Sequence, residues 1–300
     1  MTDAACRTGY LAVVGRPNVG KSTLINRLIG AKVSITSKKA QTTRHRIHGV
    51  LTRDIAGRRC QFIFVDTPGF QSRHRNALNR LMNRSVTQTL AEVDAVLLVV
   101  EAGRWGSGEL DIVGLLPRDR PVLLVVNKID RMAERKDLLP FLDRVNKEFP
   151  FTDIVPVCAE RGDNIDELLK AASAYLPDAP PVFDADDITD RPERFLAAEL
   201  LREKLFRNLG EELPYGIAVE IEKFEQEGDL RRIHAAVVVD KAAHKAIVIG
   251  KAGERLKRIA SDARKEMEQL FGGKVWLETW VKVKSGWADD ERALKSLGYE

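Results

Sequence analysis

Eight residues near the N-terminus, GRPNVGKS, have the types and spacing of a phosphate-binding loop. They occupy positions 15–22, fit the pattern G-x-x-x-x-G-K-S/T, and lie between an apolar run and a helical pattern. In such a loop, glycines allow main-chain N–H groups to surround phosphates, the lysine reaches the β- and γ-phosphates, and the hydroxyl binds Mg²⁺. The sequence therefore predicts that Lys21 binds phosphate and that Ser22 binds Mg²⁺.

Two later motifs place polar residues at the ends of apolar runs. FIFVDTPG (62–69) contains Asp66, whose carboxylate suits Mg²⁺, and Gly69, whose N–H can meet a γ-phosphate. VVNKID (125–130) ends with Asp130, which can accept hydrogen bonds from N1–H and the 2-amino group of guanine. Adenine offers neither donor, and each lost bond to a buried carboxylate costs about 1.5–3 kcal/mol. The motifs therefore predict a guanine nucleotide.

A second glycine turn, GKAG at 250–253, follows the apolar stretch AIVIG and precedes a helical pattern. Residues 241–265 contain eight Lys or Arg and two acids, which favours a polyanionic partner. A G-x-x-G turn between two helices brings the main chain close to a sugar-phosphate chain, and the second helix begins with a phosphate-favouring N-terminus. This is the arrangement of a KH module, which clamps about four nucleotides of a single strand.

The elements that must position these motifs fall into two groups. Apolar runs at 10–14, 60–65, 95–100, 122–126 and 154–157 alternate with helical stretches, and 47–52 reads as an edge strand joined to the next by a hairpin. This pattern predicts an α/β domain with a mostly parallel six-stranded sheet and helices on both faces, over 1–177. A Pro-rich acidic linker (178–193) and an α+β domain (194–300) of order α-β-β-α-α-β follow. That order matches a type II KH domain.

Composition is that of a globular protein without a membrane span. The 300 residues are 44% apolar and 31% charged, with a net charge of +4, and the apolar runs are far shorter than the roughly 20 residues that a span needs. The N-terminus shows no export signal, and Cys6, Cys60 and Cys158 lie far apart without CxxC spacing. We expect a cytoplasmic protein.

The nucleotide motifs resemble the translation-factor-like branch of P-loop GTPases. Cys158-Ala159 is similar to the last guanine-contact loop of that branch, with cysteine in place of the usual serine. Phe70 stands where Ras-like enzymes place the glutamine that orients the attacking water, as in the hydrophobic-substituted class of GTPases. In that class an asparagine that matches Asn18 helps to bind K⁺, which makes K⁺ a second candidate ion beside Mg²⁺. The pair Thr42-Thr43 resembles the first switch, and we favour Thr43 as its Mg²⁺ ligand.

The whole chain resembles the Era family, through the stretches ITDRPERFLAAELLREKLF, EELPYGIAVEIEKF, VIGKAGERLKRIA and VKSGWADDERALKSLGY. The resemblance implies a GTPase that binds GTP and GDP. It also implies binding to single-stranded small-subunit (16S) ribosomal RNA near its 3′ end, in assembly of the 30S subunit. The family is also found peripherally at the inner membrane face. We expect a monomer that binds RNA rather than DNA, and we expect GTP to open the RNA groove by ordering residues 34–43 and the loop after Gly69.

The predicted sites comprise three sets of residues. The catalytic residues are Lys21, Asn18 and Thr43, and the metal ligands are Ser22, Thr43 and Asp66. The GTP site comprises Gly15, Arg16, Pro17, Asn18, Val19, Gly20, Lys21, Ser22, Thr23, Asp66, Thr67, Pro68, Gly69, Phe70, Asn127, Lys128, Asp130, Cys158 and Ala159. The RNA site comprises Ile247, Val248, Ile249, Gly250, Lys251, Ala252, Gly253, Arg255, Lys257 and Arg258.

Three alternatives stay open on the sequence. The chain could be a membrane-associated cell-cycle switch whose C-terminal domain docks a protein, or that domain could bind single-stranded DNA. Trp276 and Trp280 alternate with lysines on one face of the last strand and could stack bases. We favour packing of both tryptophans under the final helix or the neighbouring domain, with the lysines reaching water.

Overall fold

The computed structural model describes residues 6–37, 39, 41–70, 77–132, 134–210 and 213–299. These residues form two compact units. The first comprises the described parts of Met1–Ser34, Thr43–Arg75 and Met82–Asp190, and the second those of Ile35–Thr42, Asn76–Leu81 and Arg191–Glu300. Two short stretches of the N-terminal half therefore belong to the C-terminal unit.

The first unit is built on a six-stranded sheet of order β2-β3-β1-β4-β5-β6. All neighbouring strands are parallel except β2 and β3, which form the predicted hairpin at one edge. The mostly parallel six-stranded sheet is thus confirmed. The strands are β1 (Arg7–Val14), β2 (Ile47–Ile55), β3 (Arg58–Asp66), β4 (Ala95–Glu101), β5 (Val122–Asn127) and β6 (Asp153–Pro156).

Helices cover both faces of this sheet, which explains why its central strands are continuously apolar. On β4, Leu97 and Val99 belong to one core, whereas Leu98 and Val100 belong to a second core on the other face. Side chains of successive strand residues point to opposite faces, so a strand that is buried on both sides needs apolar residues throughout. The helices are α1 (Lys21–Ile29), α2 (Ala77–Glu92), α3 (Ser107–Val113), α4 (Leu138–Asn146) and α5 (Ile165–Ser173).

The second unit contains a three-stranded sheet of order β7-β8-β9, antiparallel between β7 and β8 and parallel between β8 and β9. Its elements are α6 (Glu193–Asn208), β7 (Ile217–Glu227), β8 (Leu230–Val239), α7 (Ala242–Ile249), α8 (Glu254–Phe271), β9 (Lys274–Val283) and α9 (Glu291–Ser296). The predicted order α-β-β-α-α-β with a short last helix is confirmed. Its apolar core lies on one face of the sheet and includes Leu201, Val237 and Met267.

The acidic stretch that follows α5 differs from the predicted linker. Residues 178–190 belong to the first unit, where the fully buried Gln61 binds them. Its Oε1 accepts the N–H groups of Val182 and Phe183 at 2.7 and 3.0 Å, and its Nε2 donates to the Phe183 carbonyl at 2.8 Å. The Val50 N–H donates to the Ile188 carbonyl at 2.9 Å. Proline and acid content indicated an irregular segment but not these partners.

Among the helices that the structure describes, none is both long enough and apolar enough to cross a membrane.

Candidate functional site

The predicted phosphate loop joins β1 to α1. At Gly20 of this loop, the main chain has no room for a larger side chain. Gly20 precedes the first residue of α1 and has a φ of 104°, a conformation that residues with a Cβ rarely adopt. A Cβ on Gly20 would lie 2.3 Å from Asn127 Nδ2. The second glycine of the motif is therefore required by backbone conformation and by contact with the loop after β5.

Lys21 is buried at the centre of this loop. Its Nζ donates to the carbonyls of Gly15 and Arg16, both at 3.0 Å. Burial lowers the pKa of Lys21 to about 8, and the nearby Asp66 carboxylate opposes this shift. The ammonium group is thus positioned by main-chain acceptors at the place where the motif puts phosphate.

Asp66 at the end of β3 accepts hydrogen bonds from three hydroxyl groups. Its Oδ2 accepts from Ser34 Oγ at 2.7 Å, from Ser22 Oγ at 2.9 Å and from Thr43 Oγ1 at 3.4 Å. Burial raises the pKa of Asp66, and these hydrogen bonds and Lys21 oppose the rise. The structure brings together the three predicted metal ligands, and it adds Ser34, which the sequence did not single out.

The oxygen cluster fits a small hard cation. Asp66 is fully buried, and its Oδ1 has no hydrogen-bond partner among the described residues. Ser22 Oγ and Thr43 Oγ1 lie 2.9 Å apart beside it. Mg²⁺ in nucleotide sites is bound through one or two carboxylates, with substrate phosphates and waters completing its shell. One carboxylate oxygen with a free lone pair and two hydroxyls match that requirement.

The choice between Thr42 and Thr43 follows from their partners. Thr43 Oγ1 contacts Ser22 and Asp66, whereas Thr42 Oγ1 is 2.6 Å from Ser37 Oγ and donates to the Lys39 carbonyl at 2.7 Å. Thr43 is therefore the threonine at the oxygen cluster.

Asn127 links the loops that surround the predicted nucleotide. Its Nδ2 donates to the Val19 carbonyl at 2.9 Å, and its Oδ1 accepts the N–H groups of Lys128 at 2.8 Å and Ala159 at 3.0 Å. Lys128 Nζ in turn donates to the Asn18 carbonyl at 2.6 Å. The main chain of the predicted guanine-contact loop is thus tied to Asn127 through the Ala159 N–H.

The Asp130 carboxylate, which we predict to bind guanine, accepts a hydrogen bond from a thiol. Cys158 Sγ donates to Asp130 Oδ1 at 3.0 Å, and Cys158 is only 1% exposed. This bond lowers the pKa of Asp130. Burial, followed by the bond to Asp130, raises the pKa of the Cys158 thiol, which keeps it protonated as a donor. Cys158 thus supplies a side-chain hydrogen bond to Asp130 from the position where the resemblance has serine.

Other predicted residues of the loop have distinct surroundings. Asn18 is exposed with a φ of 65°, and Phe70 is half-buried against the core that includes Val65. Thr67 is fully buried, and its Oγ1 donates to the Val13 carbonyl at 2.8 Å, so its side chain joins β3 to β1.

The second glycine turn lies between α7 and α8, as predicted. Gly250 has a φ of 74°, and a Cβ there would lie 2.7 Å from Arg255 Cβ. Arg255 closes the turn by donating from Nη1 to the Ile247 carbonyl at 2.6 Å. Lys251, Ala252, Lys257 and Arg258 are exposed, as a site for an extended polyanion requires.

One predicted RNA-binding residue is placed differently. The side chain of Val248 is fully buried and packs in the core of the second unit, since it lies on the inner face of α7. Its side chain is therefore a core group, whereas its neighbour Ile247 is 45% exposed.

A groove of ≈ 410 Å³ runs between α8 and β9, the outermost strand of its sheet in the described chain. Its apolar surface includes Leu256 and Leu277, and its basic groups are Lys257 and Arg264. The sequence analysis did not predict most of the residues that line this groove, although the helical spacing of those on α8 was visible. The lining residues are Gly253, Leu256, Lys257, Ala260, Ser261, Arg264, Leu277, Glu278 and Thr279.

The tryptophans of β9 differ from the favoured prediction. Trp276 is 42% exposed, and its ring centroid lies 5.2 Å from that of His234, which also contacts Trp280 at 6.3 Å. The tryptophan that packs with the final segment is Trp287, which is fully buried and stacks on Tyr299 at 6.0 Å. The alternation of residues along β9 shows that the two tryptophans share one face of the strand. It does not show whether that face is exposed or covered.

Comparisons with known proteins agree with both domains. A family described as 50S ribosome-binding GTPase matches residues 10–128, and one described as KH domain matches residues 212–288. GTPase Era of Nitrosomonas eutropha is 58% identical over 300 residues, and that of Chromobacterium violaceum is 54% identical, each over the full length of both chains.

Two solved structures of Era superpose with a TM-score of 0.93 at 41% identity, covering 98% of this chain and 99% of theirs. One is a variant from Aquifex aeolicus bound to GDP and AlF₄⁻. The other is Era in complex with MgGDPNP and nucleotides 1506–1542 of 16S ribosomal RNA.

Fold and sites together define a P-loop GTPase that carries a C-terminal KH domain. Given relatives that are more than half identical over the full length, the chain belongs to the Era family of GTPases.

Proposed function

We propose that this GTPase binds single-stranded 16S ribosomal RNA near its 3′ end through the turn at Gly250–Gly253 and the α8–β9 groove, during assembly of the 30S subunit. The observation that carries the proposal is one chain with two phosphate-binding turns, only one of which is joined to a guanine-selective carboxylate, Asp130. The similar Era that binds nucleotides 1506–1542 of 16S ribosomal RNA supports the choice of RNA.

At the nucleotide site, each side chain has a separate task. Lys21 holds the β- and γ-phosphates, Asp130 accepts from guanine, and Ser22, Thr43 and Asp66 hold Mg²⁺. When bound, Mg²⁺ neutralises charge on the phosphate oxygens. Phe70 has no group that can orient water and packs on the apolar core, so water is positioned by other groups. The packing of Phe70 supports the proposal that the chain is a GTPase of the hydrophobic-substituted type.

K⁺ held through Asn18 would supply transition-state charge that other GTPases take from an arginine. We expect turnover in KCl to exceed that in NaCl by roughly tenfold, because electrostatic stabilisation at a phosphoryl group is worth that much or more. Asn18→Gly tolerates the positive φ and should abolish the difference. Equal turnover of the wild type in both salts, measured by phosphate release, would rule out the K⁺ role.

The RNA site is tested by the double variant Lys251→Asp/Ala252→Asp. Both residues are exposed in the turn, so we expect folding and GTP turnover to stay within about twofold. RNA affinity should fall by at least roughly tenfold, because new carboxylates would face the phosphates. Anisotropy of a labelled oligoribonucleotide with the 3′-terminal 16S sequence measures the affinity.

The matched control is Lys265→Asp/Gln269→Asp, which makes the same charge change on exposed residues of α8 that do not line the groove. Retained RNA binding in the first variant, or equal loss in both, would contradict the proposed site. Binding through about four phosphates should also make log K fall with log salt at a slope of roughly −3. A salt-independent complex would favour the alternative of a protein-docking domain, and better competition by DNA would favour a DNA site.

Cytoplasmic location stays a prediction from the sequence, and peripheral contact with the inner membrane and the monomeric state stay predictions as well.

A further inference from the structure

The described residues of the loop Ile35–Thr42 belong to the second unit, and the residues that flank this loop in the chain lie at the oxygen cluster around Asp66. Ser34 precedes it and Thr43 follows it, and the hydroxyls of both donate to the same oxygen, Asp66 Oδ2. Whatever holds the main chain of this loop therefore also limits where Thr43 can lie.

Glu203 of α6 holds the start of the loop. It is fully buried, and its Oε1 accepts from the Thr36 N–H at 2.9 Å and from Thr36 Oγ1 at 3.2 Å. Arg207 completes the cluster, since its Nη2 donates to Glu203 Oε1 at 2.8 Å and its Nε donates to the Thr36 carbonyl at 3.1 Å. A buried carboxylate with several donors is strongly held, because its charge has no other solvation.

Arg202 of α6 holds the end of the loop. It is 1% exposed, its Nη2 donates to the Thr42 carbonyl at 2.6 Å, and its Nε and Nη2 donate to Glu199 at 2.7 and 2.6 Å. The Thr42 carbonyl is part of the peptide bond that leads into Thr43. The guanidinium therefore acts on the main chain immediately before the metal-site threonine.

Lys39 holds the middle of the loop at the C-terminus of α6. Its Nζ donates to the carbonyls of Phe206 at 2.6 Å and Gly210 at 3.3 Å, and to that of Leu209. Cations are favoured at this end of a helix because its last carbonyls have no intrahelical donors. Charged groups thus hold the start, the middle and the end of the loop at α6 or at its C-terminus.

We propose that Glu203 and Arg202 are positioning residues for GTP hydrolysis, which hold the main chain of Ile35–Thr42 so that Thr43 Oγ1 stays beside Ser22 and Asp66. The proposal rests on the proposed roles of Thr43 and Asp66 at the nucleotide site. The proposal gives α6, which contains none of the nucleotide motifs, a role in GTP turnover.

The test replaces Glu203 by glutamine, which keeps the shape and removes the charge. We expect kcat to fall by roughly tenfold and the KM for GTP to change less than about twofold, because the residues that bind phosphate and guanine are untouched. In the nucleotide-free protein, hydrogen exchange of the Thr36 amide should become faster, since its acceptor is weakened.

Glu193→Gln is the matched control on the same helix. Glu193 is the first residue of α6, and both its oxygens accept from Arg231 of β8, at 2.6 and 2.8 Å. We expect Glu193→Gln to lower Tm to an extent similar to that of Glu203→Gln and to leave both kcat and exchange of Thr36 unchanged.

A second variant, Thr36→Val, removes the hydroxyl partner and keeps the side-chain size. If the hydrogen bond between Thr36 Oγ1 and Glu203 causes the fall in kcat, the double variant Thr36→Val/Glu203→Gln should have the same kcat as Glu203→Gln alone. Unchanged kcat in Glu203→Gln, an equal loss in Glu193→Gln, or additive losses would each overturn the proposal. Should Glu203→Gln not fold, unchanged kcat and exchange in Thr36→Val would overturn it. A wild type without GTP turnover would instead contradict the proposed function.

Discussion

At the scale of single residues, Cys158 shows how one site adapts to an unusual side chain. Its thiol occupies the donor position beside Asp130 that a serine hydroxyl usually fills in such loops, at an Sγ–Oδ1 distance of 3.0 Å. A thiol is a weaker donor than a hydroxyl, but burial keeps it protonated and dry. The thiol thereby fixes the orientation of the Asp130 carboxylate.

Replacing Cys158 tests this arrangement. Cys158→Ala removes the donor, and we expect GDP affinity to fall by roughly tenfold, which corresponds to about 1.4 kcal/mol for one hydrogen bond to a charged group. Cys158→Ser restores a donor and should stay within about threefold of the wild type. Titration with a fluorescent GDP analogue measures both, with ATP competition as the selectivity control. Wild-type affinity in Cys158→Ala would show that the thiol bond has no role.

The residues that the sequence could predict are those whose chemistry is local to a motif. Lys21, Ser22 and Asp66 were visible because glycine turns and strand ends have recognisable patterns. Ser34 and Gln61 were not, because their partners lie 32 and 121 residues away in the chain and ordinary polar side chains carry no pattern. Val248 was misplaced because apolar residues beside a turn do not reveal which face of the helix they occupy.

At the scale of elements, apolar runs located every strand but underestimated several lengths. We predicted 47–52 for β2, which extends to Ile55, and 60–65 for β3, which extends from Arg58 to Asp66. Four of the added residues are polar and exposed, and they belong to the sheet through main-chain pairs such as Asp54 with Arg59. Hydrophobic patterns report burial, whereas strand ends are set by hydrogen bonds.

One side-chain bond joins the start of β6 to the segment after α5 and gives a pH prediction. Tyr175 Oη donates to Asp153 Oδ2 at 2.6 Å, which, with burial, raises the pKa of Tyr175 to about 12. The folded pKa exceeds the unfolded value of about 10, so the bond stabilises the fold fully below pH 10 and progressively less from pH 10 to 12.

We expect Tyr175→Phe to be about 1 kcal/mol less stable than the wild type at pH 8. That difference should shrink at pH 11, because the unfolded wild type then gains stability by ionising. Urea unfolding at both pH values measures it, and a difference that does not change with pH would contradict the bond.

At the scale of the whole molecule, the sequence predicted two domains with different tasks. The net charge of +4 and the eight basic residues against two acids within 241–265 indicated where a polyanion would bind. The sequence did not predict that the described parts of Ile35–Thr42 and Asn76–Leu81 belong to the second unit. Their partners are far away in the chain, as in the Thr36–Glu203 bond across 167 positions, and a single sequence contains no signal for such pairs.

Because Thr36 and Glu203 lie far apart in the chain, the ribosome makes the loop long before it makes α6. Translation at about 5–20 residues per second needs roughly 8–33 s to make the 167 residues from Thr36 to Glu203. In that interval the nascent chain already has its phosphate loop, but the loop Ile35–Thr42 has none of its anchors on α6. On the proposed roles of these residues, the nucleotide site is complete once Ala159 has been made, whereas efficient turnover waits for Arg202 and Glu203 of the second unit.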